Sequence, residues 1–249
     1  MRTLADNPAT WPSGSPQFQT TQWSLVLTAT REGVAQSGAL EQLCRAYWYP
    51  LYAYIRRRGN AAPDAQDLTQ EFFARLLEKN WLSDIQPNTG RFRSFLLTAV
   101  NRFLANEYDR ARAAKRGGGA QPFSLDQAEA EERYAMEPAD LETPERIFDR
   151  RWALTVLDQA LNRLRTEVLA AGKGRQFELF SPFLSREAEP GEYSSLAQKL
   201  ELTPGAVGVA VHRLRQRYRE ILRVEVAGTV SDVAQVDVEL QSLFSALSS

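Results

Sequence analysis

The sequence predicts an all-α protein: two small helical domains joined by a flexible acidic linker, with a C-terminal amphipathic helical extension. Three observations carry this. Apolar residues recur every three or four positions through most of the 249 residues, and no stretch alternates as a half-buried strand would. Pro- and Gly-containing segments separate the helical runs, the longest of them the acidic stretch 117–144 that opens with three consecutive glycines. Charge is also segregated. Net charge is only −1, yet residues 24–116 carry +5, residues 117–149 carry −7 and residues 150–223 carry +5, while the last 26 residues hold four acidic groups and no basic one. A polyanion could engage both basic domains at once.

Element by element, residues 1–21 are rich in Pro, Ser, Thr and Asn without periodicity and are expected to be disordered. A first domain over 22–116 opens with a short helix capped by Thr20 or Thr21. A longer helix runs from about Gly38 to Arg58, with a bend expected at Pro50 and a stop at Gly59. Pro63 and Asp64 open a helix to Lys79 that turns Leu68, Phe72, Leu76 and Leu77 inward. From Arg91 to about Lys115 a further helix presents Phe92, Phe95, Leu96, Ala99, Val100, Phe103 and Leu104. After the linker, a second domain over 145–223 starts with a helix bearing Ile147, Trp152, Val156, Leu157, Leu161 and Leu164, then a short aromatic helix at Phe177, Phe180 and Phe183. In the extension, 224–249, Ser231 or Asp232 caps a segment with Val233, Val236, Leu240, Leu243, Phe244 and Leu247 on one face. That face requires a cover, supplied by the second domain, by a partner, or by a basic domain that the extension would clamp.

Residues 192–223 read as a helix-turn-helix. Leu196, Ala197 and Leu200 share one face of the first helix, and Leu202 lies in the turn. Thr203 and Pro204 mark the second start, because threonine can accept from an orphan N–H and proline has none to lose. Val207, Val211, Leu214, Tyr218 and Ile221 then form the buried stripe. Thr203, Gly205, Gly208, Val209, His212, Arg213, Arg215 and Arg217 make up the candidate DNA-facing side. Small residues there permit close approach to a groove. With Gly208 and Val209 in place of polar groups, Thr203, His212 and Arg213 are the chief base readers, and the later arginines suit phosphates or solvent. Glu201 stands at a turn position that often holds glycine.

Chemistry-bearing constellations do not occur. The sequence has no Gly-rich phosphate loop followed by Lys and Ser/Thr, no nucleophile elbow and no metal-ligand spacing, so neither an enzyme nor a cofactor is expected. A single cysteine, Cys44, excludes an internal disulfide. No apolar run approaches the roughly 20 residues that span a bilayer, and the first residues lack a signal pattern, so a cytoplasmic protein without membrane insertion is expected.

Taken in order, three segments resemble the extracytoplasmic-function (ECF) group of bacterial sigma factors of the sigma-70 family: DAQDLTQEFFARLLEKN at 64–80, GRFRSFLLTAVNRFLANEYDRARAAKR at 90–116, and the helix-turn-helix. The resemblance covers roughly residues 22–223. It implies a region 2-like domain that docks on core RNA polymerase and opens promoter DNA, and a region 4-like domain that holds the upstream promoter element. By the same resemblance, Asp64, Asp67, Gln70, Glu71 and Phe73 would meet polymerase, Phe73 because it and Phe72 cannot both enter one core stripe. The downstream element would fall to Ser83, Asp84, Gln86 and Asn88, with Arg91, Arg93, Asn101, Arg102 and Tyr108 tracking or stacking on the strand. An anti-sigma factor or another regulator is a further candidate partner. Two other readings stand beside this one: a helix-turn-helix regulator acting without polymerase, and an interaction protein that touches no DNA.

Overall fold

Helix α1, Val34–Arg57, continues through Pro50, where a bend was expected, and the missing proline N–H is tolerated inside the helix. The computed structural model describes residues 34–78, 90–114, 125–135 and 143–248, with side chains of α1 from Ala46 onward. The expected tail 1–21, the short helix after it and the Cys44 side chain lie outside the described residues. Gly59 ends α1 in the left-handed region, at φ 91°, where a side chain would be strained.

Four further helices follow: α2 at Ala62–Glu78, α3 at Phe92–Ala114, α4 at Leu125–Ala135 and α5 at Pro144–Ala170. The chain divides into two compact units. To the first belong α1 to α4, α5 as far as Val156, and residues 226–249. Its core is aromatic: Tyr47, Tyr52, Tyr54, Phe72, Phe92, Phe103, Phe148 and Trp152 are all essentially inaccessible. Burying each such side chain contributes about 1.5–3 kcal/mol.

Helix α2 packs on α1, α3 and α4, so a wider arc than one stripe is covered. Ala65, Gln66, Thr69, Phe72, Phe73 and Leu76 are all buried, and Phe72 meets Phe73 and Phe103 edge-on. Leu68, expected inward, is only half-buried.

Part of the stretch expected to be a flexible linker forms α4. Its sequence, LDQAEAEERYA, is made mostly of good helix formers, and α1 supplies the partners. Glu131 accepts from Arg56 Nε at 2.6 Å and from the Tyr52 hydroxyl, Arg133 lies over Tyr49 and Arg56 over Tyr134. The Arg56 guanidinium holds the Glu131 carboxyl below the usual carboxylate range, although burial opposes it.

The second unit comprises α5 from Leu157, α6 at Gly174–Phe180, a 3₁₀ turn at Ser181–Leu184, α7 at Glu192–Leu200, and α8 at Pro204–Ala227 as far as Glu225. Thr143 Oγ1 accepts from Arg146 N and starts α5 with Pro144 in the first turn. The boundary between units therefore falls inside α5, because Ile147, Phe148, Trp152 and Ala153 complete the aromatic core of the first unit. In this respect the units differ from the expected domains.

The C-terminal segment also joins the first unit rather than the second. Asp232 Oδ1 accepts from Ala234 N and caps a 3₁₀ turn at Val233–Gln235, after which α9 spans Val236–Leu247. Val236, Glu239 and Leu243 form its buried face, while Val233 and Phe244, expected on that face, are exposed.

Candidate functional site

The turn between α7 and α8 is built on Glu201, which lies in the left-handed region at φ 55°. Leu202 N donates to Ala197 O at 2.9 Å, closing the helix end. Thr203 Oγ1 then accepts from Ala206 N at 3.2 Å, the expected cap of α8. Leu196, Ala197, Val207, Val211, Leu214 and Ile221 are buried, and Tyr218 donates its hydroxyl to Leu157 O. Arg186 clamps the start of α7. Its two terminal nitrogens each lie 2.7 Å from a Glu192 oxygen, and Glu189 N adds a third bond, so the Glu192 carboxyl is held down at about 2.

One face of α8 is open at its beginning. Thr203, Gly205, Val209, His212 and Arg213 are exposed and Gly208 is half-buried. A Cβ at Gly205 would meet nothing within 4 Å, and one at Gly208 would make ordinary contact with the Tyr193 ring at 3.5 Å. The fold itself therefore demands neither glycine. Two glycines near a helix start cost about 0.8–1.0 kcal/mol each relative to alanine.

Arg215 and Arg217 stand apart from this group. Arg215 donates to Phe183 O at 2.7 Å, to Arg186 O at 2.6 Å and to Glu187. Arg217 donates to both oxygens of Glu167 and to Glu220, and its side chain keeps only 11% of its surface. Both tie α8 to its own unit.

On α2, Asp64, Asp67, Gln70 and Glu71 are all exposed and form a carboxylate-rich face, with Glu71 also paired to Arg75. Phe73 is buried at 5% exposure, which removes it from the surface.

Residues Ser83, Asp84, Gln86 and Asn88 lie outside the described residues. The α3 candidates separate. Arg102 and Tyr108 are exposed, whereas Asn101 Oδ1 accepts from the Tyr54 hydroxyl at 2.8 Å and from Arg58. Arg93, expected to track a strand, is instead buried. It donates through Nε to Glu239 Oε1 at 2.6 Å and through Nη1 to Asp149, with Trp152 beneath it. Burial alone would lower the Arg93 pKa, but the two carboxylates outweigh it and raise it. Burial raises the Asp149 pKa against the pull of Arg93. Arg91 also reaches Glu239, through Nε at 2.9 Å.

Sequence reasoning missed Glu239 and Asp149. The one available signal was an acidic residue at 239, between Val236 and Leu243 at helical spacing on an otherwise apolar face.

No described helix is long and apolar enough to cross a membrane. Neither the curated proteins nor the solved structures give a match to this chain. The family model described as "ECF sigma factor" matches residues 21–188, more than half of the chain, taking in α1 to α6 and ending before the helix-turn-helix. The chain therefore belongs to the ECF sigma factors of the sigma-70 family, and it directs promoter-specific transcription initiation with core RNA polymerase.

Proposed function

We propose a division of labour among three surfaces. The start of α8, comprising Thr203, Gly205, Gly208, Val209, His212 and Arg213, contacts the upstream promoter element. Arg215 and Arg217 hold the helix rather than the DNA. With few base-reading groups, recognition there leans on backbone contacts and DNA shape. The face of α2 formed by Asp64, Asp67, Gln70 and Glu71 docks on core polymerase, and Phe73 supports it from the interior. Residues 83–88, with Arg102 and Tyr108 of α3, engage the downstream element as a single strand.

The chain itself is not an enzyme, since polymerase supplies the chemistry, and it works in the cytoplasm. An anti-sigma factor would act by covering the α2 face or the start of α8.

The observation that carries this reading is the open start of α8, where two glycines have no partner in the fold that requires them. Two substitutions test it. Asp67→Lys should weaken binding to core polymerase without changing the melting temperature. Arg213→Ala should leave holoenzyme assembly intact and cost about 1–3 kcal/mol in promoter binding at one base position. Unchanged assembly for Asp67→Lys, together with an Arg213→Ala loss equal on all sequences, would refute the assignment.

A further inference from the structure

Helix α8 carries a second basic place two turns beyond His212. There the chain from Leu184 to Glu187 forms one wall of a recess of about 230 Å³, which is lined by the guanidinium-bearing side chains of Arg186, Arg215 and Arg219. Arg215 holds that wall in place. Its Nε donates to Phe183 O at 2.7 Å and its Nη2 to Arg186 O at 2.6 Å, while Nη1 lies 2.9 Å from Glu187 Oε1. Arg186 is taken by Glu192. Arg219 differs from both: it is exposed and has no carboxylate or carbonyl partner among the described residues.

With Arg186, Arg215 and Arg219 set against Glu187 and Glu192, the recess keeps a surplus of one positive charge, and that charge is carried by Arg219. An arginine with unspent donors, beside a wall fixed by other arginines, takes an anion without giving up any bond to its own chain. The Glu187 carboxylate also lines the recess, but its side chain is 85% exposed and free to turn to solvent as an anion enters.

Helical register identifies the anion. Gly205, His212 and Arg219 follow one another at seven-residue spacing, so they share one stripe of α8, with the exposed Gln216 between the last two. At a rise of about 1.5 Å per residue, Arg219 stands about 10 Å along the helix from His212. A helix that meets base edges with its first turns, in a groove about 8.5 Å deep, brings a side chain that far along it back to the level of the sugar–phosphate backbone.

We infer that Arg219 anchors one backbone phosphate of the duplex beside the upstream element, with Arg215 and Arg186 as positioning residues that fix the wall and add to the field. The inference rests on the reading of the start of α8 as the DNA-facing side. To that reading it adds a grip that is independent of sequence and separate from Arg213.

The test uses the full-length protein in holoenzyme, on a duplex promoter mapped with the wild type, in which one phosphate at a time across and beside the upstream element is replaced by a neutral methylphosphonate. At one flanking phosphate the replacement should weaken wild-type binding about fivefold to tenfold. Arg219→Ala should weaken binding to the unmodified duplex by the same factor, equally for every sequence of the upstream element, and should lose nothing further at that phosphate. Its melting temperature should not change, because Arg219 holds nothing within the chain. Arg217→Ala should keep the wild-type pattern of sensitive phosphates.

Wild-type binding by Arg219→Ala, or an Arg219→Ala protein still sensitive at every phosphate that the wild type feels, would overturn the inference. A loss of holoenzyme assembly would overturn it too, since Arg219 would then meet protein. Arg213→Ala tests the underlying reading separately. Unchanged binding for Arg213→Ala, with no sensitive phosphate beside the upstream element, removes the DNA-facing assignment of α8 itself, whereas weakened Arg213→Ala with unchanged Arg219→Ala removes the phosphate anchor alone.

Discussion

Arg217 and Glu167, 50 residues apart, are joined by two parallel hydrogen bonds, Nε to Oε2 at 2.9 Å and Nη2 to Oε1 at 3.0 Å. The pair links α8 to α5 inside the second unit, and an arginine held this way is already satisfied. Arg217→Ala should therefore destabilise the unit by about 1–2 kcal/mol and leave the salt dependence of promoter binding unchanged. Denaturant unfolding and a salt titration of binding measure the two effects. A salt slope reduced by about one would mean a lost phosphate contact instead.

Gly205 should show the opposite pattern. Alanine there meets no neighbour within the chain, so Gly205→Ala should stabilise the protein by about 0.5–1 kcal/mol. Promoter binding should nonetheless weaken, because the added methyl stands on the side of close approach. Stability and affinity measured on one preparation would separate the two. Stabilisation with unchanged affinity would take Gly205 out of the interface.

Glu201 holds a left-handed conformation at φ 55° without being glycine. Glu201→Gly should raise stability by roughly 1 kcal/mol, since only glycine enters that region without strain. Thermal unfolding reads this directly.

The Arg186–Glu192 clamp predicts a pH dependence. Glu192 is held at about 2 in the folded chain, against an ordinary value of 4.5. A depressed carboxyl pKa contributes stability that is fully present above the unfolded value and is lost as pH falls through the folded one. The contribution from this clamp should thus be complete above about pH 4.5 and disappear towards pH 2, and Glu192→Gln should flatten the unfolding profile in that window. An NMR titration of the Glu192 carboxyl gives the folded value itself.

Local signals made much of the fold legible. The Thr203 cap, the stripe Val207, Val211, Leu214 and Ile221, and the Gly59 stop each follow from neighbours within a few residues, and the structure places them as expected. What escaped was set by distant partners. Helix α4 gains its grip from Arg56 and Tyr49 of α1, so its acidic sequence read as linker. Phe73 is covered because α2 has three neighbours, which one-helix periodicity does not reveal. Arg93 lies 146 residues from the carboxylate that buries it, and an arginine on a helix gives no local sign of such a partner. Of the site residues, exposure on α2 and at the start of α8 followed helical spacing. Arg215 and Arg217 did not, because their carbonyl and carboxylate partners lie on other elements.

This chain confers promoter choice on core RNA polymerase. Run-off transcription with purified core polymerase and a genomic DNA library, with and without the full-length protein, tests it most directly. Discrete transcripts from a small set of promoters, present only when the protein is added, are predicted. Duplex binding by the protein alone, with no added transcripts and no association with core polymerase, would contradict it.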